Sequence, residues 1–172
     1  MTEGYAHIVA GCRRHDRRAQ RMLYDTFAPM AMGVCMRYAH DRDEAQDLLQ
    51  EGFVKVFENI GRLRDAERVG AWIYRLMVNV CLNYYRRHVR PRYIDEEGVD
   101  GVQQPLDPFG TEEVAEALRC LTPAQRVAFN LVEVEGYSFE EAAEKMRCTE
   151  VNVRALLCRA KGRLREELKI EN

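Results

Sequence analysis

Long apolar runs are missing from this sequence. No stretch approaches the length that crosses a membrane, and the opening residues MTEGYAHIVAG do not combine a basic start with a continuous apolar segment. With 47% hydrophobic and 31% charged residues among 172, the chain has enough apolar material for one good core or two small ones. We therefore expect a cytoplasmic protein with no membrane insertion.

The motifs that carry enzyme chemistry are also missing. The sequence has no Gly-rich phosphate loop, no nucleophile paired with a base and no cluster with metal-ligand spacing. The six cysteines form no C-x-x-C pair, and Cys35 and Cys81 lie in apolar periodic runs. That placement predicts small core side chains rather than disulfides or zinc ligands. We expect no catalytic residue, no metal and no cofactor.

A large excess of either charge is absent as well, but the near-balance hides an uneven distribution. Residues 1–93 hold 16 Lys and Arg against 11 Asp and Glu, residues 94–119 hold 1 against 8, and residues 120–172 hold 9 against 9. The acidic stretch also contains prolines and glycines, with little helical periodicity before the expected helix cap at Thr111. The sequence predicts an all-α protein: a domain over 1–93, an acidic linker over 94–111 and a second domain over 112–172.

The segment from Thr122 to Leu168 has the pattern of a DNA-reading helix-turn-helix. Thr122 and Ser138 each begin a capping-box sequence, and Gly136 stops the helix between them. The residues 147–149 are short enough to form the turn, with Thr149 capping a long final helix.

The final helix has two distinct faces. Its packing face is apolar and consists of Val153, Leu156, Leu157, Ala160, Leu164 and Leu168. A second face carries Arg154, Cys158, Lys161 and Arg165 and is available for phosphates and base edges. A solvated amphipathic helix would show the same pattern, so the motif alone leaves both readings open.

The first domain begins with helices expected near residues 5–11 and 16–39, the latter bent or divided at Pro29. A third helix is expected over about residues 43–60. Its buried stripe is Ala45, Leu49, Phe53, Val56, Phe57 and Ile60, and its outer stripe is Asp43, Asp47, Gln50, Glu51, Val54 and Glu58. An acidic stripe with an exposed valine suits a protein partner, although an ordinary solvated face is the alternative.

A fourth helix, expected from Val69 to about His88, carries the single tryptophan on its polar side. Trp72 projects there with Arg75, Asn79, Asn83 and Arg86. An aromatic ring among amides and guanidinium groups can hold unstacked bases, at roughly 1 to 3 kcal/mol per stacked base. The alternative is that Trp72 packs under the preceding loop, residues 61–68.

Several of these segments together resemble a known family. They are Asp47-Leu48-Leu49-Gln50-Glu51-Gly52, Gly70-Ala71-Trp72-Ile73-Tyr74-Arg75-Leu76-Met77-Val78-Asn79, and Leu121-Thr122-Pro123 followed by Gly136-Tyr137-Ser138-Phe139-Glu140-Glu141-Ala142-Ala143. In their order and spacing around an acidic linker they resemble the bacterial sigma-70 factors of the extracytoplasmic-function (ECF) group. That group carries only the second and fourth conserved sigma regions, which fits the short chain.

The resemblance implies a role for each surface. Asp47, Gln50 and Glu51 would grip the β′ clamp helices of core RNA polymerase, whose β and β′ subunits are the implied protein partners. Trp72, Arg75, Asn79, Asn83 and Arg86 would open and read the minus-ten element, and the loop 61–68 would capture a flipped base. Arg154, Cys158, Arg159, Lys161 and Arg165 would meet the minus-thirty-five element of promoter DNA. An anti-sigma factor is a further partner that the resemblance allows.

Two other classes of protein remain for comparison. A helix-turn-helix regulator without a sigma role explains the second domain but leaves Trp72 and the acidic outer stripe without a purpose. A helical protein-interaction module explains that stripe but not Arg154, Lys161 and Arg165. The sequence therefore favours a sigma factor, a specificity subunit rather than an enzyme.

Overall fold

The structure, a computed structural model, describes residues 4–89 and 112–168. Every regular element in these ranges is helical, which confirms the all-α prediction. Within the described ranges, no helix is long and apolar enough to cross a bilayer. The predicted linker at 94–111, including the expected cap at Thr111, lies outside the described residues.

Two compact units form the described chain. The first contains residues 4–35 and 42–81, and the second contains residues 36–41, 82–89 and 112–168. The second unit therefore includes a short segment from the middle of the N-terminal half. The domain boundaries predicted from the sequence, 1–93 and 112–172 around a linker over 94–111, stay a prediction.

Four helices occupy the N-terminal half. They are α1 (Ala6–Arg13), α2 (Arg17–Tyr38), α3 (Arg42–Asn59) and α4 (Val69–Tyr84). Two 3₁₀ turns, Ile60–Arg62 and Ala66–Arg68, connect α3 to α4, and a π-helical turn over Tyr85–Val89 continues α4. All four helices were predicted, with bounds differing by a few residues.

Helix α2 runs without interruption through Pro29, so the proline does not divide it. Proline removes one helical N–H donor and leaves a carbonyl one turn earlier without its usual partner. Pro29 is exposed. Water can therefore satisfy that carbonyl, and the helix persists.

The core of the first unit lies between α2, α3 and α4. Its most deeply buried side chains include Leu23, Val34, Val56, Val69, Ile73 and Val80. The predicted stripe of α3 is buried, apart from half-buried Phe57. Helices α3 and α4 approach closely at Gly52, where an added Cβ would lie 2.2 Å from the Met77 sulfur. Gly52 and fully buried Met77 thus set the spacing of these helices.

The second unit is built mainly from the C-terminal helices. They are α5 (Glu112–Leu118), α6 (Pro123–Phe129), a π-helical turn (Asn130–Val134), α7 (Phe139–Met146) and α8 (Glu150–Glu167). Both predicted capping boxes are present, at Thr122 with Gln125 and at Ser138 with Glu141. Hydrogen bonds from the Ser138 backbone and hydroxyl lower the pKa of Glu141. Thr149 caps α8, as predicted.

The turn between α7 and α8 contains no glycine. Arg147 takes the left-handed conformation there, with φ of 55°, and the Cys148 N–H donates to the Ala143 carbonyl at 3.0 Å. Glycine is the usual residue at this position because it has no Cβ. The helix-turn-helix geometry therefore forms despite the missing turn glycine.

The packing face of α8 is largely as predicted. Val153, Leu157 and Ala160 are buried, and Leu156 and Leu164 are half-buried. Ala160 packs with Leu118 and Leu121 in one cluster. The prediction is wrong for Leu168, which is 53% exposed because it follows the last residue of α8.

Candidate functional site

The outer face of α3 is exposed as the sequence predicts. Asp47, Gln50 and Glu51 all face solvent, and Val54 is 56% exposed beside them. Lys55 forms an ion pair with Glu51, at 2.6 Å between Nζ and Oε1. Because both side chains are partly in solvent, this pair is weak and a competing cation can replace Lys55.

In the first unit, α4 presents a mixed aromatic and polar strip. Trp72 is half-buried, while Arg75 and Asn79 are exposed. Part of the indole is thus accessible beside a cation and an amide. This combination can stack on a base and hold a neighbouring phosphate.

Asn83 and Arg86, predicted to extend the same strip, lie in the second unit and are half-buried. The Arg86 guanidinium donates to Asn83 Oδ1 at 3.1 Å and to the Lys145 carbonyl. Burial, with Arg147 nearby, lowers the pKa of Arg86. Before either side chain could reach DNA, these internal hydrogen bonds would have to exchange.

The loop between α3 and α4 is anchored by a buried residue at its centre, and the residues on either side of that anchor are exposed. Leu63 is buried, and its carbonyl accepts a hydrogen bond from Arg13. Asp65 caps the second 3₁₀ turn by accepting the Glu67 N–H at 3.1 Å. Arg62 and Arg64 are exposed on either side of the anchor. The loop therefore has a fixed backbone and cationic edges.

On the predicted DNA-reading face of α8, two cations already have partners. The Arg154 guanidinium lies 4.0 Å from the centre of the Phe139 ring, and Lys161 Nζ lies 2.5 Å from Glu133 Oε1. Stacking on Phe139 limits the directions that Arg154 can take, and Glu133 offsets the charge of Lys161. Cys158, Arg159 and Arg165 are exposed on the same helix.

Sequence reasoning missed an exposed pair at the start of α8. Val151 is 74% exposed, and Asn152 is exposed next to it. An apolar residue so open to solvent in the first turn of this helix was a visible signal, because the packing stripe begins only at Val153.

A buried polar network in the second unit was also missed. Arg126 is 2% exposed and donates to the carbonyls of Ala39, Leu118 and Leu121, at 2.9, 3.1 and 3.2 Å. Asn130, fully buried, donates to the Arg37 carbonyl at 2.8 Å.

The side chain of Arg37 extends this network through an ion pair with Glu135 at 3.2 Å. These contacts join residues 36–41 to α5, α6 and the turn after α6. No sequence periodicity distinguishes Arg126 from an ordinary surface arginine.

Within the described ranges, no group of three or more His, Cys, Asp or Glu side chains could hold a metal ion. Cys35 and Cys81 are buried core residues, as predicted. The candidate surfaces thus consist of cations, amides, carboxylates and exposed apolar side chains, a set suited to recognition.

Family comparisons match both halves of the chain. The model for Sigma-70 region 2 matches residues 23–90, and the model for Sigma-70, region 4 matches residues 111–164. The first match contains α3, α4 and the intervening loop, and the second contains α6, α7 and most of α8.

Two relatives are similar over most of the chain. RNA polymerase sigma-H factor of Pseudomonas aeruginosa is 28% identical over 170 residues, covering 90% of this chain and 88% of the relative. ECF RNA polymerase sigma-E factor of Haemophilus influenzae is 27% identical over 177 residues, covering 94% and 93%.

Two solved structures support the fold. CnrH, in complex with the cytosolic domain of CnrY, has a TM-score of 0.51 at 20% identity, covering 98% of this chain and 99% of that one. The sigma factor RpoE, in complex with the anti-sigma factor NepR from Bartonella quintana, has a TM-score of 0.52 at 22% identity, covering 88% and 98%.

Proposed function

The chain belongs to the sigma-70 family, in its ECF group, and directs core RNA polymerase to promoters; from that premise we propose which of its surfaces performs each step. The surfaces are the outer face of α3, the strip of α4 in the first unit, and the exposed face of α8. Polymerase supplies the chemistry, and this subunit supplies recognition.

The outer face of α3 docks on polymerase. Its exposed Asp47 and Glu51 carboxylates, with Gln50 between them, suit a basic surface, and Val54 adds an apolar contact. The family resemblance assigns this helix to the β′ clamp helices. Opposite charges there would steer association and fix the orientation of the complex.

Promoter opening depends on the strip Trp72, Arg75 and Asn79. The observation that carries this assignment is the half-buried indole beside an exposed cation and an exposed amide on one helix. A base leaving the duplex loses its stacking, and contact with Trp72 compensates part of that loss, roughly 1 to 3 kcal/mol per base. Binding energy alone can then favour the open strand.

Upstream recognition depends on α8. Arg154, near the N-terminal end of the helix, is the candidate for base reading, and the Phe139 ring holds its guanidinium. Arg159, Lys161 and Arg165 are candidates for phosphate contacts. Cys158 is exposed among them and offers little hydrogen bonding.

Run-off transcription with purified core polymerase and a promoter library tests the function. We expect transcription from a defined subset of promoters only when this protein is added. If transcription requires another sigma factor, the chain is a helix-turn-helix regulator. If no promoter preference emerges while core binding is retained, it is an interaction module.

An anti-sigma partner is a further proposal, supported by the RpoE relative solved with the anti-sigma factor NepR. Such a partner would compete with polymerase for the α3 face. A protein that co-purifies with this chain from its native cells should be displaced by excess core polymerase. If the two bind together without competition, the partner is not acting as an anti-sigma factor at this face.

A further inference from the structure

Helix α1 packs against both 3₁₀ turns of the loop between α3 and α4. It ends before residue 23, where the match to Sigma-70 region 2 begins, so its role has to be read from its own contacts. Val9 and Cys12 on its apolar face are each 1% exposed. At the other end, Tyr5 packs on Phe27 of α2 with ring centres 5.3 Å apart. The helix is therefore a fixed part of the first unit.

The turn that ends α1 has a closely specified backbone. The Arg14 N–H donates to the Gly11 carbonyl at 3.0 Å, and His15 takes the left-handed conformation with φ of 59°. A residue other than glycine adopts that conformation only where its surroundings hold it there. Gly11 also allows a close approach to α2, because an added Cβ would lie 2.5 Å from Ala19 Cβ. The backbone on both sides of Arg13 thus determines where its side chain begins.

Arg13, the last residue of α1, reaches the loop. Its guanidinium donates a hydrogen bond to the carbonyl of Leu63, 50 residues away. Leu63 lies between the two 3₁₀ turns in an extended conformation, with φ of −67° and ψ of 120°. An extended residue does not share the hydrogen bonding of a helical turn, so its carbonyl needs a partner from elsewhere. A cationic donor makes a stronger bond there than a neutral one.

The anchored residue lies between two exposed cations. Leu63 is buried, whereas Arg62 and Arg64 are exposed on either side of it. The bond from Arg13 holds the peptide plane between Leu63 and Arg64. The Leu63 N–H donates to the Ile60 carbonyl at 3.3 Å, which holds the plane on the other side. Together the two bonds fix the backbone from which both exposed guanidinium groups extend.

We propose that Arg13 is a positioning residue for promoter recognition, which holds the loop 61–68 in the shape that captures a flipped non-template base. The proposal rests on the proposed sigma function, in which the family resemblance assigns base capture to this loop. Arg13 touches no base and acts through the Leu63 carbonyl. Without its bond the loop would exchange between conformations, and capture would have to select one of them, which weakens capture.

Trypsin tests whether Arg13 holds the loop, because the loop itself carries cleavage sites at Arg62 and Arg64. The full-length wild type, Arg13→Met, Arg13→Lys and Arg14→Met are digested, and mass spectrometry follows cleavage after each site. Arg14→Met is the matched control, since it removes one exposed cation at the neighbouring position. Under native conditions, cleavage follows the population of the open loop when opening and closing are fast.

We expect Arg13→Met to raise the rate of cleavage after Arg62 and Arg64 by about tenfold, the scale of one lost charge-assisted hydrogen bond. Arg14→Met should match the wild type. Arg13→Lys keeps a cationic donor and should lie between the wild type and Arg13→Met. Cleavage after Arg21 in α2 is the internal reference and should not change, because a general loss of stability would raise cleavage there too.

The second measurement is discrimination in the minus-ten element, with core polymerase and a promoter obtained from the library. Run-off yields are compared between that promoter and its single-base variants in the minus-ten element. Arg13→Met should lower the ratio of these yields, Arg13→Lys should restore part of it, and Arg14→Met should leave it unchanged. Affinity for core polymerase should be the same in all four proteins, because Arg13 lies outside the α3 face.

Equal cleavage after Arg62 and Arg64 in Arg13→Met and Arg14→Met would overturn the proposal, because Arg13 would then not hold the loop. So would faster loop cleavage in Arg13→Met with unchanged discrimination, because the shape of the loop would then not affect base capture. The cleavage measurement needs neither promoter nor polymerase. Failure of Arg13 to hold the loop is therefore separable from failure of the sigma function in the transcription assay.

Discussion

At the scale of single residues, several side chains proposed for binding already have partners within the protein. Glu51 pairs with Lys55, Lys161 pairs with Glu133, and Arg154 lies over Phe139. Exposed ion pairs contribute only about 0.2 to 1 kcal/mol, and an exposed cation–π contact contributes about 0.5 to 1 kcal/mol. Polymerase or DNA can therefore replace these internal partners. Substituting an internal partner as well as the binding residue gives a sharper test of each proposed contact.

Glu51→Lys should weaken the binding of core polymerase, because it places a positive charge on a face proposed to meet a basic surface. Lys55→Ala is the matched control, since it removes the intrahelical partner and leaves the Glu51 carboxylate free. Its affinity should equal or exceed that of the wild type. Pull-down with core polymerase at moderate salt measures both, and wild-type affinity in Glu51→Lys would exclude this face.

Arg154→Ala should reduce discrimination between correct and altered upstream elements by on the order of 1 to 3 kcal/mol if the contact is bidentate. Lys161→Ala should instead weaken all sequences alike and lower the salt dependence. Glu133→Gln should strengthen the binding of all sequences and raise the salt dependence, because it frees Lys161 for a phosphate contact. Anisotropy over a salt series separates these outcomes; an unchanged salt dependence in Glu133→Gln would argue against a phosphate contact at Lys161.

Trp72→Ala should leave assembly with core polymerase intact but impair promoter opening, because one stacking surface is lost when bases leave the duplex. A premelted template should recover part of the activity. Permanganate reactivity measures promoter opening, and run-off yield measures the transcription that follows it. Equal losses on duplex and premelted templates would indicate that Trp72 is a structural residue.

At the scale of elements, sequence patterns predicted most of the fold. Both capping boxes, the cap at Thr149 and the buried stripe of α3 follow from local residue choice, and each is present. The patterns did not predict the π-helical turns at Tyr85–Val89 and Asn130–Val134. Such turns are rare, single-turn features with i→i+5 hydrogen bonds, and the apolar period of an α-helix does not distinguish them.

Substitution of Gly52 should lower the free energy of unfolding, whereas substitution of Gly33 should raise it. Gly52→Val must displace fully buried Met77, and overpacking of this kind costs about 1 to 3 kcal/mol. Gly33 lies in α2 with nothing within 4 Å of an added Cβ, so Gly33→Ala should stabilise by about 0.4 to 1 kcal/mol. Urea unfolding measures both; a neutral Gly52→Val would mean that α3 and α4 can separate freely.

At the scale of the whole molecule, the contacts that sequence reasoning missed are the most distant ones. Arg126 bonds to a carbonyl 87 residues away, and Asn130 bonds to one 93 residues away. Each lies in a helix or turn whose own pattern is ordinary. The need for a buried guanidinium becomes visible only when the Ala39, Leu118 and Leu121 carbonyls meet, so no local signal could have revealed it.

Arg126→Met should destabilise the second unit by about 2 to 4 kcal/mol, because it keeps the approximate volume but leaves buried carbonyls without donors. Arg21→Met is the control. Arg21 forms an exposed pair with Asp25, its side chain 78% accessible, so its loss should cost less than about 1 kcal/mol. Urea unfolding followed by circular dichroism compares them, and similar losses would mean that the buried network contributes little.

The same network bears on how the protein is made. Residues 36–41 leave the ribosome long before Arg126 and Asn130. The carbonyls of Arg37 and Ala39 therefore stay hydrated until about ninety further residues have been synthesised. A chain that stops early leaves this segment uncovered. Incomplete products that end before Arg126 should therefore be open to proteolysis near residues 36–41, whereas chains that extend beyond Asn130 should be protected there.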